Sequence, residues 1–353
     1  MRCGVGDYTH RLAMALAELP GNAVAILTSR ACVPALGAHG LEIFPIVKRW
    51  GLGDAWKVFR LFRSWRPDLV HIQYPTQGYE DGILPSVVPL LARLAGARVV
   101  QTWHEPVALD AALSLLARRL APGRIVVVRP QYRELLHPLL RRLVPKRRLH
   151  FIPSASSIPR SRLSSEQRTA LKQRYLGGQA RLVVFFGFLY RHKGVDLIFD
   201  IANPDTDHVV IAGDTDHAEF KSELQRRAES PPWVGKATLA GFMPREDIAD
   251  LLALADAVVL PFRLGGGEWN TSIHGATTNG AYVITTSTTR HGYDAQSNVF
   301  YAAVDSTQEM RSALALAPRK QRDSDAKAPG WPDIAAAHLR LYDSDRTSGF
   351  TFL

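Results

Sequence analysis

The chain has 353 residues, which at about 150 residues per domain allows two domains. Apolar residues make up 46% and charged residues 22%, a composition that excludes a disordered chain. No apolar run reaches the roughly 18 residues a membrane span needs. Met1-Arg2-Cys3-Gly4 opens without an apolar leader, and Cys3 and Cys32 alone cannot make a disulfide framework or a structural zinc site, so a reducing cytoplasm is the expected compartment. The net charge of +10 is unevenly spread: residues 1–150 hold 21 Lys and Arg against 10 Asp and Glu, or +11, while 151–353 hold 22 against 23, or −1. A one-sided basic half points to an acidic partner such as a phospholipid surface, a nucleic acid or a charged polymer.

Gly4-Val5-Gly6 reads as a turn, and Leu12, Ala15 and Leu16 at helical spacing predict a helix over 7–19 with Asp7 as its N-cap. Apolar runs predict strands at 23–27, 42–46, 69–73, 98–102, 124–128 and 149–152. A doubly wound domain places a strand before its first glycine turn, and none precedes Gly4. Either the domain lacks a central strand or a segment lies upstream, and the upstream segment is preferred because a gap leaves two strand edges unpaired. Segment 50–65 interleaves Trp56, Phe59 and Phe62 with Lys57, Arg60 and Arg63, and reads as a helix packing its apolar stripe on the sheet. Segment 135–148 carries Arg141, Arg142, Lys146, Arg147 and Arg148; it fits a packed helix with solvated charges or a basic helix lying on an anionic membrane.

Turn formers over 153–162 predict a hinge. The pattern then restarts, with strands at 182–186, 209–212, 257–261 and 282–286, helices at 195–201 and 248–254, and helical periodicity over 331–345. The tail 350–353 alternates like a strand. Strands alternating with helices throughout predict an α/β protein of two Rossmann-like domains facing across a cleft. The expected boundaries are 1–155 and 156–335, with 336–353 as a C-terminal helix and tail.

Three places can carry chemistry. The run Leu260-Pro-Phe-Arg-Leu-Gly-Gly-Gly-Glu268-Trp-Asn270-Thr271-Ser272 joins a strand end, a triple-glycine turn and a helix start. Helical N–H groups and hydroxyls there suit a phosphate, although a flexible loop with an ordinary cap gives the same residues. Gly187-Phe-Leu-Tyr-Arg191-His-Lys193-Gly194 puts two cations where a strand's carboxyl end meets a helix start; a lysine there is disfavoured unless an anion is present, the alternative being a solvated loop cation. In Gln101-Thr-Trp-His104-Glu, His104 ends a strand and suits a ligand hydroxyl or a structural hydrogen bond. Gly4 and Gly6 lack the third glycine of a dinucleotide fingerprint, which argues against a nicotinamide dehydrogenase, and no nucleic-acid-binding module is present.

The order Gly4-Val-Gly-Asp-Tyr-Thr, Asp68-Leu-Val-His-Ile-Gln, Thr102-Trp-His, Phe151-Ile-Pro, Phe186-Gly-Phe with Lys193-Gly, Ala240-Gly-Phe242 and Ala255-Asp-Ala-Val-Val-Leu-Pro-Phe262 resembles the retaining glycosyltransferases of family 4, which have the GT-B fold. The resemblance implies a nucleotide-sugar donor, UDP- or GDP-linked, as substrate, with no separate cofactor and no catalytic metal. The donor would lie mainly in the C-terminal domain, and a glycan or lipid-linked acceptor mainly in the N-terminal one. By position it implies that Lys193 binds the diphosphate, His104 contacts the donor sugar, Gly4 and Gly6 approach the phosphate, Asn270, Thr271 and Ser272 meet the diphosphate, and Phe242 lies where the base is read. Glu268 is adjacent to the family's first motif glutamate, Gly275 stands where the second one holds the ribose, and Phe188 replaces an arginine for which Arg191 is the nearby substitute. The expected activity is transfer of a hexose with retention in cell-surface polysaccharide or glycolipid synthesis. It would take place in the cytoplasm, at the inner face of a membrane held through 135–148. The rival expectation is a degenerate protein that binds a glycan or partner without transfer.

Overall fold

A computed structural model describes residues 4–31, 41–75, 77–79, 82–107, 123–267, 269–316 and 329–344. Cys3, Cys32, Glu268 and the tail 350–353 lie outside the described residues. The chain divides into two compact units, Met1–Ala155 with Pro329–Leu353, and Ser156–Ala328.

In the first unit, β1 (Val24–Ser29) and β2 (Leu41–Val47) form a parallel pair. A second, four-stranded parallel sheet runs β3 (Leu69–Tyr74), β4 (Arg98–Trp103), β5 (Arg124–Val127) and β6 (Leu149–Phe151). Both sheets supply the same two apolar layers. Leu27 and Val70 pack with Val58 and Phe62 of α2 (Ala55–Trp65) and with Leu84 and Val88 of α3 (Leu84–Leu94). Val24 and Leu69 pack on the other face with Tyr8 and Leu12 of α1 (Gly4–Ala17). Among the described residues, no strand of one sheet pairs with a strand of the other.

The second unit is built on one seven-stranded sheet. Its strands are β7 (Arg181–Phe186), β8 (Asp207–Ala212), β9 (Ala237–Gly241), β10 (Ala257–Leu260), β11 (Val283–Thr286), β12 (Gly292–Asp294) and β13 (Val299–Ala302). The order is β12-β13-β11-β10-β7-β8-β9, parallel except where β12 meets β13. Every residue of β8, β10 and β11 is buried, as apolar strands covered on both faces must be. The covering helices are α4 (Ser165–Leu176), α5 (Ala218–Ala228), α6 (Arg245–Leu254), α7 (Thr271–Thr278) and α8 (Thr307–Ala315). Ser164 caps α4 in a reciprocal box with Gln167, at 3.2 and 2.9 Å. The chain runs outward from β7 to β9 and returns to β10 on the other side of β7. The carboxyl ends of β7 and β10 therefore flank a topological switch point, where open α/β sheets bind ligands.

Four features differ from expectation. Gly4 and Gly6 lie inside α1 rather than in a turn before it, and Asp7 sits in the first helical turn, where its carboxylate complements the helix dipole, rather than preceding the helix. Segment 135–148 is no single helix. Leu136 is extended, a six-residue helix spans Pro138–Leu143, and Pro145 precedes a short 3-10 turn at Lys146–Arg148, because prolines cannot continue a helix through these positions. Residues 195–201 form a 3-10 turn and one α-turn in place of a regular helix. The closing helix α9 (Trp331–Asp343) groups with the first unit, whereas the sequence pattern divides it between a C-terminal domain ending at 335 and a tail. Its Ile334, Ala335 and Leu341 complete the apolar layer around Tyr8 and Leu12.

Candidate active site

At the switch point, the loop after β7 and the loop after β10 are locked together. Gly194 has φ +68°, and a Cβ there would lie 2.0 Å from the Pro261 carbonyl oxygen, so only glycine permits this approach. The Arg263 amide donates to the His192 carbonyl at 3.0 Å, and the Arg263 guanidinium pairs with Asp196 at 2.7 Å. This clamp sets Lys193, whose Nζ lies 4.7 Å from the centroid of the Phe262 ring. The triple-glycine turn meets the same ring: a Cβ on Gly266 would stand 2.8 Å from Phe262 Cδ2. Lys193 and the glycine turn are thus brought onto one side chain at the end of β10.

The turn delivers the chain to α7 through Asn270. Its Oδ1 accepts from the Gly267 amide at 2.9 Å, so the side chain holds the turn and does not cap the helix. The Asn270 carbonyl accepts from Ile273 and His274 at 3.0 and 3.3 Å. Among the described residues, the amides and hydroxyls of Thr271 and Ser272 have no hydrogen-bond partner. A cation, a positive helix end and unused donors at a switch point suit a doubly charged phosphate group.

Arg191 turns to α5, pairing with Glu223 at 2.6 Å and lying 4.6 Å over the Phe220 ring. Phe188 stacks on Tyr190 with centroids 5.8 Å apart. Phe242 is exposed just past β9, the outermost strand on that side and two strands from β7. Gly275 is buried in α7 against Ser156 and Ile158.

In the first unit, His104 follows β4, its amide donating to the Tyr74 carbonyl at 2.7 Å. Its ring stands edge-on to Tyr8 at 4.7 Å, and Nε2 meets Gln73 Oε1 at 3.0 Å. Burial, reinforced by His338, pushes the imidazole down to about 3, so it is neutral at physiological pH. His71 is likewise pushed well down by burial, and His338 to about 4. Gln73, His71, Tyr342 and Phe262 gain a role only in the structure, through their contacts with His104, with one another and with Lys193. Two polar residues at period-2 spacing in an apolar strand, and His338 with Tyr342 at i, i+4, are the signals that mark the first three. Among the described residues, no group of three His, Cys, Asp or Glu gathers as a metal site.

Comparisons with known proteins agree with this architecture. Residues 3–155 match the family described as glycosyl transferase 4-like domain, and residues 180–316 match glycosyl transferases group 1. No curated protein matches the chain significantly. Among solved structures, HepE of Anabaena in complex with UDP-glucose superposes with a TM-score of 0.72 at 14% identity, covering 98% of this chain and 97% of its own. Sucrose-phosphate synthase of Thermosynechococcus elongatus gives 0.73 at 17% identity, with coverage of 98% and 94%. A glycosyltransferase of Rickettsia africae gives 0.75 at 13%, with coverage of 98% and 96%. With residues 3–155 and 180–316 matched by two glycosyltransferase domain families and the fold shared along nearly the whole chain, the protein belongs to the family 4-like glycosyltransferases of GT-B fold.

Proposed function

We propose that the protein transfers a hexose from a UDP- or GDP-sugar to a glycan or lipid-linked acceptor, with retention at the anomeric carbon and without a catalytic metal. The observation that carries this reading is the convergence of Lys193 and the unused donors of Thr271 and Ser272 at the β7–β10 switch point. The HepE neighbour was solved with UDP-glucose and with UDP, which supports a uridine donor. In the reaction, the bond between the anomeric carbon and the diphosphate oxygen breaks, the acceptor hydroxyl oxygen takes that place on the same face, and the hydroxyl proton passes to the departing diphosphate. Negative charge develops on the departing diphosphate. Lys193 and the α7 amides are preorganised to receive it, which lowers the barrier more than it stabilises bound donor. His104, neutral and held at Nε2, contacts the transferred sugar, and Gly4 and Gly6 at the start of α1 approach its phosphate.

Lys193→Ala should lower turnover by about two to three orders of magnitude. Turnover should persist in EDTA. A thermal-shift panel with UDP, GDP, ADP and their sugar conjugates names the donor, since a ligand at 100 times its Kd adds about 2.7 kcal/mol of stability. The expected result is a shift with one nucleotide that Lys193→Ala abolishes. An unchanged rate in that variant removes the assignment.

Gly275 favours a second reading, a protein that binds without transferring, because it leaves the ribose without the family's carboxylate. No shift with any nucleotide is the result that selects it. We also assign the basic segment 135–148 to contact with an anionic membrane surface at the inner face; among the described residues, no helix is long and apolar enough to cross a membrane.

A further inference from the structure

His104 is the outer end of a chain of hydrogen bonds that runs through the first unit. In the β3–β4 register Gln73 pairs with Thr102, so His71, Gln73, Thr102 and His104 share the sheet face turned to α1 and α9. Gln73 and Thr102 are buried. Gln73 Oε1 accepts from His104 Nε2 at 3.0 Å, and the amide nitrogen of the same side chain donates to His71 Nε2 at 3.3 Å. The Thr102 hydroxyl also donates to His71 Nε2, at 2.7 Å. His71 Nδ1 donates to the Tyr342 hydroxyl of α9 at 2.7 Å. A neutral imidazole carries one ring proton, so each bond fixes the direction of the next. Protons at His71 Nδ1 and His104 Nε2 satisfy the whole chain with the Gln73 amide oxygen facing His104. His104 Nδ1 is then a lone-pair acceptor with no partner among the described residues.

We infer that Gln73 is a positioning residue for His104. Its amide oxygen selects the Nε2–H tautomer and presents Nδ1 as the acceptor for a hydroxyl of the bound sugar, while Tyr342, acting through His71, holds the amide in that orientation. This rests on His104 contacting substrate. The consequence reaches beyond one side chain: α9, from the far end of the chain, sets the hydrogen-bonding sense of a group at the end of β4. A glutamine suits the task because it offers an acceptor to one ring and a donor to the other without a charge that would protonate either.

The test is long-range ¹H–¹⁵N correlation of histidine imidazoles in the full-length protein, with His104 assigned from His104→Ala. Wild type should show His104 as a single neutral Nε2–H tautomer at pH 7. Gln73→Leu, of similar size but without the amide, should give a tautomer mixture and lower kcat about tenfold or more with a smaller change in KM. Tyr342→Phe, which keeps the ring that packs on His71, should mix the His71 tautomers and partly those of His104. Gln73→Glu should leave His104 protonated at pH 7. A wild-type spectrum showing Nδ1–H or a mixture overturns the inference even if the Gln73 variants fail to fold, and so does a His104 signal unmoved by both Gln73→Leu and Tyr342→Phe. His104→Ala with unchanged turnover would instead remove the substrate role and leave the tautomer assignment standing.

Discussion

Gly275 stands where the family's ribose-holding glutamate belongs, and in the sequence it appears as a bare loss. The structure gives the replacement a packing cause. A Cβ at Gly275 would lie 2.9 Å from Ser156 Oγ and 3.2 and 3.3 Å from Ile158 Cγ1 and Cβ. The Ser156 hydroxyl is itself fixed, accepting from the Ile158 amide at 3.1 Å, so it does not turn aside freely. The start of the second unit thus occupies the space a side chain would need. Gly275→Glu should therefore not restore a ribose anchor. It should lower unfolding stability by about 1–3 kcal/mol, the usual effect of overpacking, with no gain in nucleotide affinity. Urea unfolding and a nucleotide titration of the variant check both parts, and tighter nucleotide binding in a normally stable variant would contradict the packing account.

At the level of elements, most of the fold is legible in the sequence, because strands of a parallel sheet covered on both faces must be apolar runs bounded by turns. β3, β4, β7, β8, β10 and β11 all announce themselves in this way. β9 is Ala-Thr-Leu-Ala-Gly and β12 is Gly-Tyr-Asp; both are edge strands whose weak pattern is settled by pairing partners, which periodicity does not encode. The site is legible in the same uneven way. Lys193 and Thr271–Ser272 follow from local chemistry, whereas the turning of Arg191 to Glu223 depends on α5, thirty residues away in sequence. The segment 135–148 shows both faces of the problem. Leu136, Leu140 and Val144 are buried in the core, while Leu135, Leu139, Arg142, Lys146 and Arg147 are exposed. Exposed leucines and cations in one short segment suit the boundary of an anionic bilayer even without a continuous helix. Flotation with vesicles containing an anionic lipid should recover the protein at low salt and lose it as salt rises. At about 1 kcal/mol for each basic residue near the surface, replacing Arg142 and Arg147 by Ala should weaken partition about 30-fold. Failure to float at low salt would exclude the membrane contact.

Over the whole molecule, the two units should respond differently to acid. His71, His104 and His338 lie on one face of the first unit, His338 fully buried and the other two partly so, and desolvation is the leading cause that lowers each of their pKa values, to about 3 for His104 and about 4 for His338. In the unfolded chain these imidazoles titrate near 6.5. Below that pH the unfolded state binds more protons than the folded state, so the stabilisation is fully present above about 6.5 and is lost as pH falls toward the folded values. Each group that stays neutral in the fold removes up to about 1.4 kcal/mol per pH unit in this window. In the second unit, desolvation also lowers His208, which is bonded to Thr238 at 3.0 Å. Asp54, in the first unit, is pulled to about 2, with the Lys57 hydrogen bond as its main cause; its contribution is lost only between about 4 and 2, after the histidines have acted. Hydrogen exchange at pH 7 and pH 5, corrected for intrinsic rates, should therefore show β3, β4 and α9 losing protection while β7 and β10 keep theirs. His338→Leu, which removes one of the three titrating groups, should shrink that difference. Equal loss of protection in both units would mean that carboxylates or net charge, and not these imidazoles, govern the acid response.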